Sequence, residues 1–113
     1  MIVKMECPHS QESLSELAEI LKREVSAELI CEELKSLGSG GVLLLAFEKY
    51  YFRNGSYASL TVMITEDCGY QSASIIGSGG GEGILNVSWG ANQSFANMAL
   101  NTLQDYGFRQ IYR

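Results

Sequence analysis

The chain has 113 residues, the length of one ordinary domain, which is enough for one hydrophobic core but not for two. Hydrophobic residues make up 46% of it and charged residues 19%, with a single proline, and this composition excludes the disordered and low-complexity classes. The formal net charge of −5 argues against a nucleic-acid partner, because such binding depends on clustered Lys and Arg. We therefore expect one folded domain over residues 1–113 that does not bind nucleic acid.

The chain begins MIVKMECPHS, which lacks the apolar segment of a signal peptide, and its longest apolar run, residues 42–47, is too short to cross a bilayer. Cys7, Cys31 and Cys68 have no C-x-x-C spacing, which fits free thiols in a reducing compartment. Structural zinc ligands usually come in close pairs, so a zinc site built from these cysteines and His9 is disfavoured. We expect a cytoplasmic protein with no cofactor, no metal and no membrane partner.

The first third of the chain predicts a strand, a helix and a second strand. Residues 2–6 resemble a short strand, and Pro8 and Ser10 signal a helix over residues 10–25. Its apolar residues recur at helical spacing: Leu14, Leu17, Ala18, Leu21 and Val25. Residues 27–33 predict a strand more weakly, and the glycines in residues 37–41 predict a flexible link.

Residues 42–65 have the strongest local pattern, two strand-like runs joined by Asn54 and Gly55. This dipeptide favours a two-residue type I′ turn. A second turn over residues 66–69 predicts that a third strand follows. The predicted pairs are Phe52 with Tyr57, Tyr50 with Ser59, Glu48 with Thr61, Phe47 with Val62, Leu45 with Ile64, Ala73 with Val62 and Ile75 with Leu60.

Strand alternation assigns these side chains to an inner and an outer face. The inner face is apolar and holds Leu43, Leu45, Phe47, Leu60, Val62, Ile64, Ala73 and Ile75. The outer face is rich in hydroxyl groups and holds Glu48, Tyr50, Tyr57, Ser59, Thr61, Ser72 and Ser74. One end of the outer face is apolar, with Leu44, Ala46 and Met63. An apolar patch there indicates cover by another segment or by another subunit, so we predict a homodimer interface at these three residues.

The segment IIGSGGGEGILNVSWG holds six glycines. It has no lysine, which excludes a P-loop, and neither Glu82 nor Ile84 fits the last glycine of a dinucleotide fingerprint. Consecutive backbone amides could still form an anion-binding nest with Ser78. The favoured interpretation is a plain connection to a strand over residues 84–89, because glycine commonly occurs in loops where the backbone adopts unusual φ and ψ angles.

The last part of the chain predicts a second helix with Asn92 as its N-cap and Gly107 as its stop. Its apolar stripe contains Phe95, Met98, Ala99, Thr102, Leu103 and Tyr106. The predicted fold is α+β, a two-layer sandwich of a largely antiparallel sheet with both helices on one face, in the order βαβββββα.

The segments FEKYYFRNGSYASLTVMIT and IGSGGGEGILNVSWG resemble the signature stretches of a family of small uncharacterised bacterial proteins, mostly from Gram-positive bacteria. The resemblance runs from the first helix through the last and implies no activity. It implies that the following residues lie in the characteristic motifs of the family: Glu48, Tyr50, Arg53, Ser78, Gly79, Gly80, Gly81, Ser88, Trp89 and Gly90.

The residues predict no catalytic group. His9 has no motif around it and no G-x-S-x-G sequence is present, so an enzyme is disfavoured. The leading hypothesis is a self-associating binding module. The alternative is a small-molecule-binding protein or enzyme, with an unknown ligand, whose pocket lies between the glycine-rich loop 77–83 and the outer face. The residues predicted to bind this ligand are Glu48, Tyr50, Ser78, Gly79, Gly80, Gly81 and Trp89.

Overall fold

A computed structural model describes residues 1–52, 55–79 and 91–111. The elements in chain order are β1 (Ile2–Cys7), α1 (Leu14–Glu24), β2 (Glu28–Leu37), β3 (Gly40–Tyr51), β4 (Ser56–Asp67), β5 (Tyr70–Gly79), α2 (Ala91–Asp105) and β6 (Arg109–Gln110). The strands form one antiparallel sheet in the order β2-β3-β4-β5-β1-β6. The α+β class is thereby confirmed. The predicted strand 84–89 lies outside the described residues, and β6 was not predicted.

Helix α1 begins at Leu14, later than the predicted start at Ser10. Ser13 is the N-cap: its hydroxyl accepts the N–H of Glu16 at 3.1 Å, and the Glu16 carboxylate accepts the N–H of Ser13 at 2.8 Å. This capping box satisfies two amides that have no partner inside the helix, so the helix starts where the box is possible. The predicted apolar stripe is buried.

Helix α2 begins at Ala91, one residue before the predicted N-cap Asn92, and ends at the predicted stop. Gly107 has φ +95, and its N–H and that of Phe108 donate to the carbonyls of Gln104 and Leu103 at 3.2 and 3.0 Å. This is a Schellman motif, which requires the left-handed backbone that glycine tolerates.

The predicted flexible link at residues 37–41 is instead a tight hairpin turn. Leu37 pairs with Gly40, and Gly38 has φ +56 between them. A Cβ at Gly40 would lie 1.7 Å from the carbonyl oxygen of Glu66 on β4. Glycine is therefore needed here for close approach of two strands, and the link belongs to the sheet.

The β3–β4 hairpin is offset from the predicted register. Tyr51 pairs with Ser56, at the end of β3 and the start of β4, whereas the predicted turn would pair Phe52 with Tyr57. The N–H of Gly55 donates to the Tyr51 carbonyl at 2.9 Å, with φ +66 at Gly55. Every predicted β3–β4 pair is wrong by two residues.

The β4–β5 turn consists of Cys68 and Gly69, between the paired residues Asp67 and Tyr70. Their φ values of +51 and +83 match a type I′ turn, which has positive φ at both central residues. The predicted β4–β5 pairs are also wrong by two residues. Since both shifts are even, every side chain stays on its predicted face.

The inner face of the sheet and the buried sides of both helices form one core. Helix α1 contacts β3, α2 contacts β4 and β5, and the helices contact each other. The largest fully buried side chains are Phe47, Phe95, Met5, Leu17, Leu21, Leu43, Leu45, Leu60, Ile64, Ile75, Leu103 and Gln71. Gln71 is the polar member: its amide donates to the Glu12 carbonyl at 2.9 Å and to the Glu66 carboxylate at 2.8 Å.

Replacement of Cys68 by Asn is expected to stabilise the protein by about 1 kcal/mol, because a Cβ-bearing residue other than Asn or Asp is strained in the left-handed region. Urea denaturation of Cys68→Asn and of the wild type measures the difference. Cys68→Val is the control and is expected to destabilise, since a branched side chain suits positive φ least. Equal stability of the Asn and Val variants would contradict the turn assignment.

Candidate functional site

The outer face of the sheet is organised in rows that cross the strands β2-β3-β4-β5-β1. Each row is named after its central residue on β4. The Met63 row is Glu33, Leu44, Met63, Ser74 and Lys4; the Thr61 row is Cys31, Ala46, Thr61, Ile76 and Ile2; the Thr65 row is Lys35, Val42, Thr65, Ser72 and Glu6. The Ser59 row is Glu28, Glu48, Ser59 and Ser78.

The predicted interface residues lie together in this face. Leu44 pairs with Met63, and Ala46 lies beside Leu44 in the next row. Met63 is 40% exposed, and Ile76 and Ile2 extend the apolar surface with exposures of 43% and 66%. The buried residues of β1, β3, β4 and β5 alternate with these positions, so they face the other side of the sheet. The outer face thus carries a continuous apolar patch across four strands, which is typical of an interaction surface.

The residues predicted to bind a ligand meet at one end of the outer face. Glu48 and Ser78 lie in the Ser59 row, and the hydroxyl oxygens of Ser59 and Ser78 are 2.8 Å apart. Tyr50 lies beside this row, with its ring centroid 5.0 Å from that of Tyr57. Gly80, Gly81 and Trp89 lie outside the described residues. The described part therefore offers one carboxylate, paired hydroxyls and exposed tyrosine rings.

Charged side chains border the apolar patch on both sides. On β2, the Lys35 ammonium lies 3.7 Å from the Glu33 carboxylate. On β1, Glu6 accepts hydrogen bonds from Tyr70 and from Arg109, the latter at 2.9 Å. Within residues 1–52, 55–79 and 91–111, Lys4 has no ion-pair partner. Sequence reasoning did not include any of these charges in the site.

The first glycines of loop 77–83 belong to strand β5, which ends at Gly79. Gly79 has φ +84, and a Cβ on it would lie 2.5 Å from the carbonyl oxygen of Tyr57. The backbone itself requires glycine at this position, without any ligand.

The cysteines lie in three separate elements and have different environments. Cys7 is buried at the end of β1, where loss of hydration raises the pKa of its thiol and keeps it protonated at neutral pH. It lines a cavity of about 600 Å³ with His9, Glu12, Asp105 and other residues. No group of His, Cys, Asp and Glu side chains in the described part of the chain could hold a metal ion. A protonated thiol is a poor nucleophile.

The sequence model of a family described as "Family of unknown function (DUF6054)" matches residues 8–107. The chain belongs to this family. The DUF6054 match begins after β1, so Ile2, Lys4 and Glu6 of the outer face precede it. No curated protein and no solved structure matches the chain. Among the helices of the described residues, none has the length and apolar character needed to span a membrane.

In this DUF6054 protein, Gly79→Ala is expected to lower the free energy of unfolding by about 1–2 kcal/mol or more, because the added Cβ meets both the positive φ and the Tyr57 carbonyl. Thermal or urea unfolding measures the loss. Ser78→Ala is the control and is expected to cost less, since it removes one exposed hydroxyl contact. A neutral Gly79→Ala would show that this glycine is not required by the backbone.

Proposed function

We propose that this protein is a small binding module that associates with a second copy of itself through the outer face of its sheet. The observation that carries the proposal is the continuous apolar patch around Leu44, Ala46 and Met63, outside the core. A two-layer arrangement with both helices on the inner face accounts for it, because the sheet then needs a partner only on its outer side.

The size of the face suits a protein partner. Three rows on five strands and one row on four strands together span about 20 Å in each direction, from a strand spacing of about 4.8 Å and a rise of about 3.4 Å per residue. This planar footprint of about 400 Å² is about half of the roughly 800 Å² per partner of a standard interface, so side chains at its border must also take part in the contact. A face-to-face pair of such sheets has the geometry of a β-sandwich.

The free edge of β2 is a less suitable surface for self-association. Leu34 and Leu37 are exposed there, but the strand also carries Glu32, Glu33 and Lys35. Its register shifts between Leu29 and Cys31, as at a β-bulge. Charges and bulges on an edge strand oppose pairing with another strand. The proposed homodimer therefore uses the face and not the edge.

We place the proposed homodimer in the cytoplasm. Cys7, Cys31 and Cys68 are all free, and Cys68 is exposed. An exposed free thiol is better suited to a reducing compartment than to an oxidising one.

Small-molecule binding is a second candidate, favoured by the grouping of Glu48, Ser78 and Tyr50 at one end of the outer face. A ligand that binds there would raise the melting temperature by mass action in a thermal-shift screen of metabolites. Tyr57→Ala should then remove the shift, while Met63→Lys, in the middle of the face, should retain it.

Met63→Lys is expected to convert the homodimer to a monomer, because each copy would bury an unpaired ammonium group in an apolar interface. Sedimentation should give twice 12.4 kDa for the wild type and 12.4 kDa for the variant at the same concentration. Leu34→Lys, at the exposed edge of β2, is the control and should stay dimeric. A wild type that is a monomer at high micromolar concentration would refute the proposal. Loss of the dimer in Leu34→Lys alone would assign the interface to the edge.

A further inference from the structure

The charges of the outer face have a pattern that specifies how two copies meet. We infer that the copies are related by a two-fold axis along β4, so that β2 of one copy lies over β1 of the other. This inference rests on the proposed self-association and adds its orientation and the residue pairs that set it.

Strand β4 is the third of the five strands that carry the face. In the Met63 row, Glu33 on β2 and Lys4 on β1 stand at the same distance from Met63, two strands away on either side. Rotation by half a turn about β4 places Glu33 over Lys4 of the second copy, and Lys4 over Glu33. Met63 then meets Met63.

The Thr65 row has the same pattern with the signs reversed. Lys35 stands on β2 and Glu6 stands on β1, again two strands from the centre. The same rotation places Lys35 over Glu6 of the second copy. Arg109 and Tyr70 hold the Glu6 carboxylate in a fixed place, which prepares it as an acceptor. One operation therefore gives four opposite-charge contacts, two from each row.

The uncharged positions also fit this orientation. In the Met63 and Thr65 rows, the bulkier Leu44 and Val42 on β3 come to lie over Ser74 and Ser72 on β5, so large side chains oppose small ones. In the Thr61 row, Ala46 comes to lie over Ile76 and Cys31 over Ile2, and Thr61 meets Thr61 at the centre. Such matching of shape is what a packed interface core requires.

The distances allow the ion pairs to form. Facing sheets pack about 10 Å apart with their strands within about 30° of each other. A glutamate and a lysine that extend from opposite sheets can bridge such a gap. Lys4 is exposed and has no ion-pair partner among the described residues, so it is available to a second copy.

An axis across the strands, between the Met63 and Thr65 rows, is the main competing orientation. It would place Glu33 over Lys35 and Lys4 over Glu6 of the second copy, which also matches the charges. However, it would lay the apolar Thr61 row over the row that contains Asp67. The axis along β4 is favoured because it keeps the apolar patch in contact with itself.

A charge-reversal cycle tests the axis. Lys4→Glu and Glu33→Lys should each raise the dimer dissociation constant at least tenfold, measured by sedimentation at low salt, because each change creates two like-charge contacts. The double variant should return to within about threefold of the wild type, since the reversed pair is again complementary. Arg23→Glu, on the exposed side of α1, is the control for net charge and should leave the dissociation constant unchanged.

The outcomes separate this inference from the proposed function. A double variant weaker than either single variant would overturn the β4 axis in favour of the axis across the strands. Unchanged dissociation constants in all three variants, with a monomeric Met63→Lys, would refute the orientation but leave self-association standing. A monomeric wild type would refute both.

Discussion

Burial of alternate side chains along β3 and β4 is the constraint on which the rest of the structure depends. Leu43 and Leu45 on β3, and Leu60 and Val62 on β4, are completely buried against the helices. Each such side chain contributes about 1.5–3 kcal/mol when it leaves water. A shift of one residue would exchange the two faces and expose this whole set, so the parity of the register is fixed much more strongly than the register itself. The same parity determines which residues lie on the outer face.

The parity could be predicted from the sequence, whereas the register could not. An apolar residue at every second position is a local signal, and it identified the inner face correctly. The exact pairing depends on turn geometry: the N–H of Gly55 donates to the Tyr51 carbonyl, and Cys68 adopts a positive φ that its residue type does not favour. The Asn54-Gly55 dipeptide favours a two-residue turn and cysteine does not predict a positive φ, so the predicted pairs were two residues off in both hairpins. The capping box of Ser13 and Glu16 is the opposite case, because the spacing of these two residues is a sequence signature for a helix that begins at Leu14.

Residues of the candidate site could be predicted only where they are close to one another in the sequence. Leu44, Ala46 and Met63 lie on two strands joined by one loop, and alternation alone placed them on one face. Lys4 and Ile2 belong to the site because β1 pairs with β5. For example, Ile2 pairs with Ile76, which is 74 positions later in the chain. Strand order of this kind is decided by how the whole sheet closes over the helices, and no short stretch encodes it.

In the proposed interface, apolar side chains provide affinity and charged side chains determine the orientation of the two copies. Burial of the apolar patch has no preferred direction, so by itself it would tolerate several arrangements of two copies. Charges give direction because a wrong arrangement brings like charges together. The Met63 and Thr65 rows carry Glu33, Lys4, Lys35 and Glu6, which sum to zero, although the chain as a whole carries −5. Part of the negative surplus lies in the Ser59 row, which carries Glu28 and Glu48, whereas the Met63 and Thr65 rows can meet without net repulsion.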